Sequence, residues 1–293
     1  MVNHLFGNYL VNAGIITAEQ LEQAFELQKK VRVKLGLIAV AEKLMTTEQS
    51  EEVNRLQSVM DKRFGDIAVS KGYLTDEQVG RLLGLQGNPY LSFANAITES
   101  GYMTLEQFEA AFADYQKSLE FTATDMEAIK SGDSDRIIPL FLPEIDNMQL
   151  EHVLMAFRTF IRLIDSDAYI GKGSIAASAK TNGVALQSLD GDKKATLCFA
   201  GEGDALLTIA NPFAKEEFET VDLDALDAVA EFINCINGMY ATRVAPSLNV
   251  DMLPPSYKDG VDSIASDAML MLPIYVKGKE VLLLSKFDGE ITL

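Results

Sequence analysis

A chain of 293 residues, 48% of them hydrophobic, is long enough for two domains with a sizeable core. The net charge of −18 is unevenly spread, −4 over residues 1–118 and −14 over residues 119–293, so long-range repulsion argues against nucleic acid or an anionic membrane as the main partner. Two cysteines make no disulfide framework, no secretory signal opens the chain, and no apolar run reaches the ~18 residues of a bilayer span; a cytoplasmic protein without membrane insertion is expected.

The first 116 residues hold four ungapped copies of one segment. Gly7, Gly36, Gly65 and Ala94 mark a period of 29 residues, repeated by Thr17, Thr46, Thr75 and Thr104 and by Gln20, Gln49, Gln78 and Gln107. Each Thr followed three residues later by Gln predicts a helix opened by a capping box. Glu19, Glu48, Glu77 and Glu106 then sit in the first turn, where the helix dipole favours negative charge. Each copy reads as a short segment, a turn near Gly14 or Gly72, and a capped helix. One copy cannot bury its own apolar face, so neighbours are expected to stack. The pattern is absent where a fifth copy would begin.

These repeats resemble the MshEN-type domain at the N-terminus of type II secretion and type IV pilus ATPases. In that family tandem motifs opening with Arg-Leu-Gly and closing with Gln bind cyclic di-GMP. The third copy comes closest, with Arg63, Phe64, Gly65, Gly72 and Gln86. The second has Lys34, Leu35 and Gly36, but Lys43 replaces the turn glycine; the first opens with Leu5 and the fourth with Ser92. Arg forks onto phosphate and stacks on a base, whereas Leu and Ser do neither. The resemblance implies Lys34, Arg63, Gly65 and Gln86 as candidate cyclic di-GMP ligands. The plainer reading is a helical docking or spacing module.

Residues 119–146 contain Gly132, Pro139 and Pro143 and read as a connector with at most one short helix. From Met148 the pattern changes. "MQLEHVLMAFRTFIRLI" is an amphipathic helix. "GSIAASAKTNGVALQSL" and "KKATLCFAG" alternate like strands joined by an Asp190-Gly191 turn. "DALLTIANPF" is a short helix, and a long helix capped near Asp222 or Asp224 follows. "LNVDMLPPSYKDG", "AMLMLPIYV" and "KEVLLLSKF" close the chain as strands. The expected fold class is α+β. An all-α four-repeat array (1–118) and a connector (119–146) precede an α+β domain (147–293), whose antiparallel sheet carries long helices on one face.

On the second long helix Asp227, Glu231, Asn234 and Gly238 share one face, opposite Leu226, Val229, Phe232, Ile233, Ile236 and Tyr240. The apolar side explains docking; the polar stripe needs its own reason. Asp227-x3-Glu231-x2-Asn234, followed by "LPPSYKDG", resembles the signature of the CheC/CheX/FliY phosphatase family. With one copy of that signature, residues 148–290 look CheX-like. The resemblance implies hydrolysis of the aspartyl phosphate on a CheY-like response regulator. Asn234 would place the attacking water, and Glu231 would pair with a lysine of the receiver. Asp227 would orient the helix or the partner. Gly238 would let the partner approach closely, a reading taken from the helical wheel. Mg2+ would arrive on the phosphorylated receiver, and a homodimer is implied. An amide suits the water-placing role, because its oxygen accepts from water, its NH2 faces phosphoryl oxygens, and it carries no repelling charge. The rival readings are a silent receiver-binding adaptor and a cyclic di-GMP-responsive module. His4 and His152 have no accompanying ligands that would suggest zinc, and Cys235 has no activating neighbour.

Overall fold

The computed structural model describes residues 1–292 and divides into two compact units between Asp133 and Ser134. The first unit is all helical: α1 (Val2–Asn12), α2 (Ala18–Lys30), α3 (Leu35–Ala41), α4 (Thr47–Met60), α5 (Phe64–Ser70), α6 (Asp76–Gly84), α7 (Pro89–Glu99), α8 (Leu105–Leu119) and α9 (Ala123–Ser131). Odd-numbered α1 to α7 are the short segments of the four copies, and even-numbered α2 to α8 their capped helices. All four capping boxes form, with each Thr accepting from the Gln backbone and each Gln side chain returning to the Thr backbone.

The glycines have two separate physical causes. The anchors are sites of close approach: a Cβ at Gly7, Gly36 or Gly65 would lie 2.5, 2.3 and 2.8 Å from Leu21, Ser50 and Val79, each on the capped helix of the same copy. The turn glycines supply the left-handed backbone, at φ 68, 73 and 71° for Gly14, Gly72 and Gly101. Lys43 stands in the equivalent turn and adopts φ 57° despite its side chain.

The copies do not stack in simple succession. The first packs on the fourth, through α1 and α2 against α7 and α1 against α8, while the second packs on the third. Phe6 of the first copy meets Phe108 and Phe112 of the fourth edge-on at 5.2 and 5.0 Å. Aromatic rings at the two ends of the array thus meet each other in edge-on contacts. Beyond the array the expected connector is two helices, α9 and α10 (Ser134–Phe141). Thr122 caps α9 with Asp125 as its N3 partner, Gly132 ends it at φ 73°, and Met126, Ile129, Ile137 and Ile138 are buried. Pro139 sits inside α10.

The second unit continues with α11 (Asn147–Leu163), β1 (Tyr169–Ile170), β2 (Ser174–Lys180), β3 (Gly183–Gly191), β4 (Ala195–Gly201), α12 (Leu207–Ala214), α13 (Leu223–Val244), β5 (Val250–Met252), β6 (Ser256–Asp259), β7 (Ser263–Val276) and β8 (Lys279–Phe287). The strands form one antiparallel sheet in the order β1-β7-β8-β4-β3-β5, with β2 also on β7 and β6 also on β3. Alternation along the strands assigns the faces. Leu189, Ala195 and Phe287 pack with Tyr240 of α13, while Val184, Leu186, Cys198 and Leu284 point the other way into a second apolar cluster. Helices α11 and α13 therefore share one face, as an α+β fold requires.

Three strand details differ from expectation. "GSIAASAKTNGVALQSL" is two strands, and β2 pairs with β7 rather than with β3. The β3–β4 hairpin turns after Gly191, not at it, because β3 runs on to pair Gly191 with Val250 of β5. "LNVDMLPPSYKDG" is likewise divided, at Pro254-Pro255, which have no N–H to give a ladder. The β7–β8 hairpin turns at Lys277-Gly278, both at positive φ.

Candidate functional site

Helix α13 starts where Asp222 accepts a hydrogen bond from the Ala225 backbone. Leu226, Val229, Phe232, Ile233, Ile236 and Tyr240 are buried against the sheet and α11. That leaves the stripe outward: Asp227 and Glu231 are exposed, and Asn234 and Gly238 are half-buried. Asn234 Nδ2 donates to Glu231 Oε2 over 3.2 Å, so the two stand one helical turn apart and touch. At Gly238 an added Cβ would meet only Met252, its Sδ at 3.8 Å and its Cε at 4.0 Å; the chain's own packing leaves room there.

Asp227 is engaged from the side. Tyr257 on β6 lies against it, and the phenol is held above its usual pKa by that carboxylate's charge, with burial, a hydrogen bond to Asp227 and the charge of Asp224 adding to it. The rim of the stripe thus carries the carboxylates Asp224, Asp227 and Glu231. A partner that brings an anion to Asn234 must bring cations with it.

Behind the stripe lies a chain of polar groups that reading the sequence missed. Gln187 on β3 faces the helices, and its Nε2 donates to Asn234 Oδ1 and to the Leu253 carbonyl, both at 2.9 Å. Gln187 Oε1 accepts from Asn237 Nδ2 at 3.0 Å, and Asn237 Nδ2 also reaches the Gln187 carbonyl at 3.4 Å. Asn237 Oδ1 lies 2.8 Å from His152 Nε2 on α11. Gln187, Asn237 and His152 are buried to within 1% of fully. Burial pushes the His152 pKa down to about 4, against the opposing pull of the Asn237 bond, and its Nδ1 has no hydrogen-bond partner. One signal was available: Gln187, Asn237 and His152 each occupy a core-facing position on a different element, and buried polar groups find partners.

In the repeat unit three of the four candidate nucleotide ligands have structural occupations. Lys34 Nζ pairs with Glu99 at 2.5 Å and its backbone N–H donates to Asn95. Gln86 Nε2 donates to the Val33 carbonyl at 2.8 Å, and its Oε1 is buried without a partner. Gly65 abuts Val79. Arg63 is exposed at the N-cap of α5, where its side chain caps nothing. Gln86 thus reaches the backbone next to Lys34, at Val33. Among the described residues no cluster of three or more His, Cys, Asp or Glu is placed to hold a metal, and no helix is long and apolar enough to cross a membrane.

Residues 184–275 match the family model described as chemotaxis phosphatase CheX. The match starts in β3, contains α12, α13 and the Glu231–Asn234 pair, and ends in β7; the C-terminal unit thus carries a CheX/CheC-like stretch. Among solved structures the chain is similar to a CheC-like superfamily protein from Shewanella sp. PV-4, at 20% identity over 50% of this chain and 100% of that one, TM-score 0.44. It is similar to chemotaxis protein CheX from Vibrio vulnificus at 15% identity over 48% and 97%, TM-score 0.40. A third similar structure is the CheX-CheY-BeF3-Mg2+ complex from Borrelia burgdorferi, at 14% identity over 51% and 100%, TM-score 0.40. No curated protein matches this chain.

Proposed function

We propose that the C-terminal unit hydrolyses the aspartyl phosphate of a CheY-like receiver. The observation that carries this is the solvent-reachable Glu231–Asn234 pair, in mutual contact within the stretch that matches the chemotaxis phosphatase model. Asn234 has one lone pair on Oδ1 and one N–H on Nδ2 left over after its two intramolecular bonds. Those two groups suit a water on one side and a phosphoryl oxygen on the other. The water oxygen bonds to phosphorus as the P–O bond to the receiver's aspartate breaks, giving inorganic phosphate and a free carboxylate. An acyl phosphate is reactive, so the work is positioning. Glu231 keeps Oε1 for a receiver lysine, and the acidic rim admits the phosphoryl group only together with that lysine and the receiver's Mg2+. Asp227, already oriented by Tyr257, forms the partner-facing edge, and Gly238 leaves space for the partner's surface. In this proposal the repeat array docks or spaces the phosphatase rather than receiving cyclic di-GMP, because Gly65 and Gln86 are taken up by packing and Lys34 is paired with Glu99. A homodimer belongs to the same reading.

The test uses the full chain and a co-encoded receiver phosphorylated with a small phosphodonor. The wild-type chain accelerates phosphate release. Asn234→Ala abolishes the acceleration, roughly a hundredfold or more, and Glu231→Ala raises KM and lowers the rate. Receiver binding without acceleration overturns the proposal in favour of an adaptor.

A further inference from the structure

We infer that Gln187 is a positioning residue that sets which way round the Asn234 amide faces, and that Asn237 and His152 hold Gln187 in turn. The inference rests on the phosphatase reading and deepens it. An Asn amide can rotate by a half-turn and exchange its oxygen for its nitrogen with little change in shape. Here the exchange is blocked at every link by a group that can only accept. The Leu253 carbonyl requires a donor, which fixes Gln187 Nε2 on that side and turns its second N–H onto Asn234. The Gln187 carbonyl requires a donor from Asn237, so Asn237 presents Nδ2 to Gln187 and Oδ1 to His152. His152 must then carry its proton on Nε2. At the outer end the Glu231 carboxylate requires Asn234 Nδ2. The links run head to tail: each amide donates to the oxygen of the next, from His152 in the core to Glu231 at the surface. The free lone pair of Asn234 therefore always lies on the Gln187 side and its free N–H on the Glu231 side. A reversed amide would point a donor at the attacking water and an acceptor at the phosphoryl group.

Asn234 is the half-buried outer amide of this hydrogen-bonded series, next to the exposed Glu231. Gln187 also ties the Leu253 carbonyl, hence the Pro254-Pro255 segment, to the same amide. A side chain needed only for core packing at Gln187 would be apolar, like Leu197, its directly paired neighbour on β4.

Two substitutions test this in the dephosphorylation assay, with Asn234→Ala as reference. Gln187→Met keeps the length and removes both donors; kcat falls roughly tenfold or more while KM for the phosphorylated receiver stays within twofold. Gln187→Glu reverses the polarity. Where it is ionised, at the alkaline end of the pH profile, its carboxylate forces Asn234 to turn, and kcat falls further than in Gln187→Met. As pH is lowered the buried carboxyl takes a proton and becomes a donor again, so the ratio of variant to wild-type kcat rises. The titratable groups around position 187 are Glu231 beyond Asn234, His152 beyond Asn237, and Asp227 with Tyr257 at the rim; Gln187→Met, measured over the same pH range, shows how far they move kcat without a titratable group at 187. If wild type accelerates release and Asn234→Ala does not, yet Gln187→Met keeps wild-type kcat, the positioning role is wrong and the phosphatase reading stands. If wild type itself does nothing, the phosphatase reading is what fails, and the role inferred for Gln187 goes with it. Should both Gln187 variants fail to fold, the order parameter of the Asn234 side-chain amide in Glu231→Ala decides: an amide still rigid without the Glu231 bond supports the inference, and one rotating on the ps–ns timescale overturns it.

Discussion

Lowering the pH of the intact chain should destabilise the fold through His152 in a defined window. The ring is fully buried, and its Nε2–H is committed to Asn237. Its Nδ1 faces no acceptor, so a second proton would place both a charge and an unpaired donor in the core. The imidazole pKa is about 4 in the fold against 6.5 for a free ring, a gap worth about 3 kcal/mol at 1.36 kcal/mol per pH unit. Between pH 6.5 and 4 the unfolded chain binds a proton that the folded chain refuses, so stability falls as pH falls through that window and levels off below it. Exposed carboxylates with depressed pKa values, Asp204 beside Lys279 and Asp267 beside Lys286, also lose stability in acid. The His152 contribution is therefore read as a difference. Urea unfolding is followed by circular dichroism from pH 7.5 to 4 for wild type and for His152→Gln, whose amide keeps a donor near the Nε2 position. Wild type should lose about 3 kcal/mol more than the variant across the window. The chain has two histidines, so the ring Cε1–H signal that vanishes in the variant can be titrated directly, and it should not move above pH 5. A flat difference curve, or a signal titrating near 6.5, would refute the claim that the polar chain ends on a neutral imidazole.

Two further outcomes test the fold and the site separately. Lys43→Gly should stabilise the helical unit by about 0.5–1 kcal/mol, because the exposed lysine occupies a left-handed turn that the equivalent Gly14, Gly72 and Gly101 occupy without strain; a lowered thermal midpoint of the helical signal would contradict it. Gly238→Arg should leave the fold intact, since a Cβ there meets only Met252 at ordinary contact distance, yet raise KM for a phosphorylated receiver about tenfold or more; an unchanged KM would remove Gly238 from the partner-facing surface.

The helical unit was legible because its information is local. A capping box spans four residues and a turn glycine one, so the 29-residue period showed each helix start directly, and all four boxes form. Which copy packs on which is different in kind. It depends on Phe6, Phe93, Phe108 and Phe112 meeting across about a hundred positions, and no local spacing encodes that. The same holds for β2, whose alternation is visible but whose partner, β7, follows some ninety residues later. The segment 119–146 read as a connector because Gly132, Pro139 and Pro143 dominate its appearance, while Thr122 and Asp125 carried a shorter cap signal of the same kind as the array's.

The site divides along the same line. The stripe could be read from one helix, because exposure is what remains when the apolar face is assigned, and Asn234 and Glu231 do reach solvent together. Exposure by itself gives an amide with two interchangeable orientations. What distinguishes them is supplied by Glu231 on the same helix and, from behind, by β3, α11 and the Leu253 carbonyl, segments far apart in sequence and joined only by the fold. Each polar residue in that chain costs burial energy that hydrogen bonding only offsets, so an apolar core would serve stability at least as well. A fold that keeps Gln187, Asn237 and His152 inside, each hydrogen-bonded to the next, gains definition at Asn234, where the series reaches the exposed Glu231.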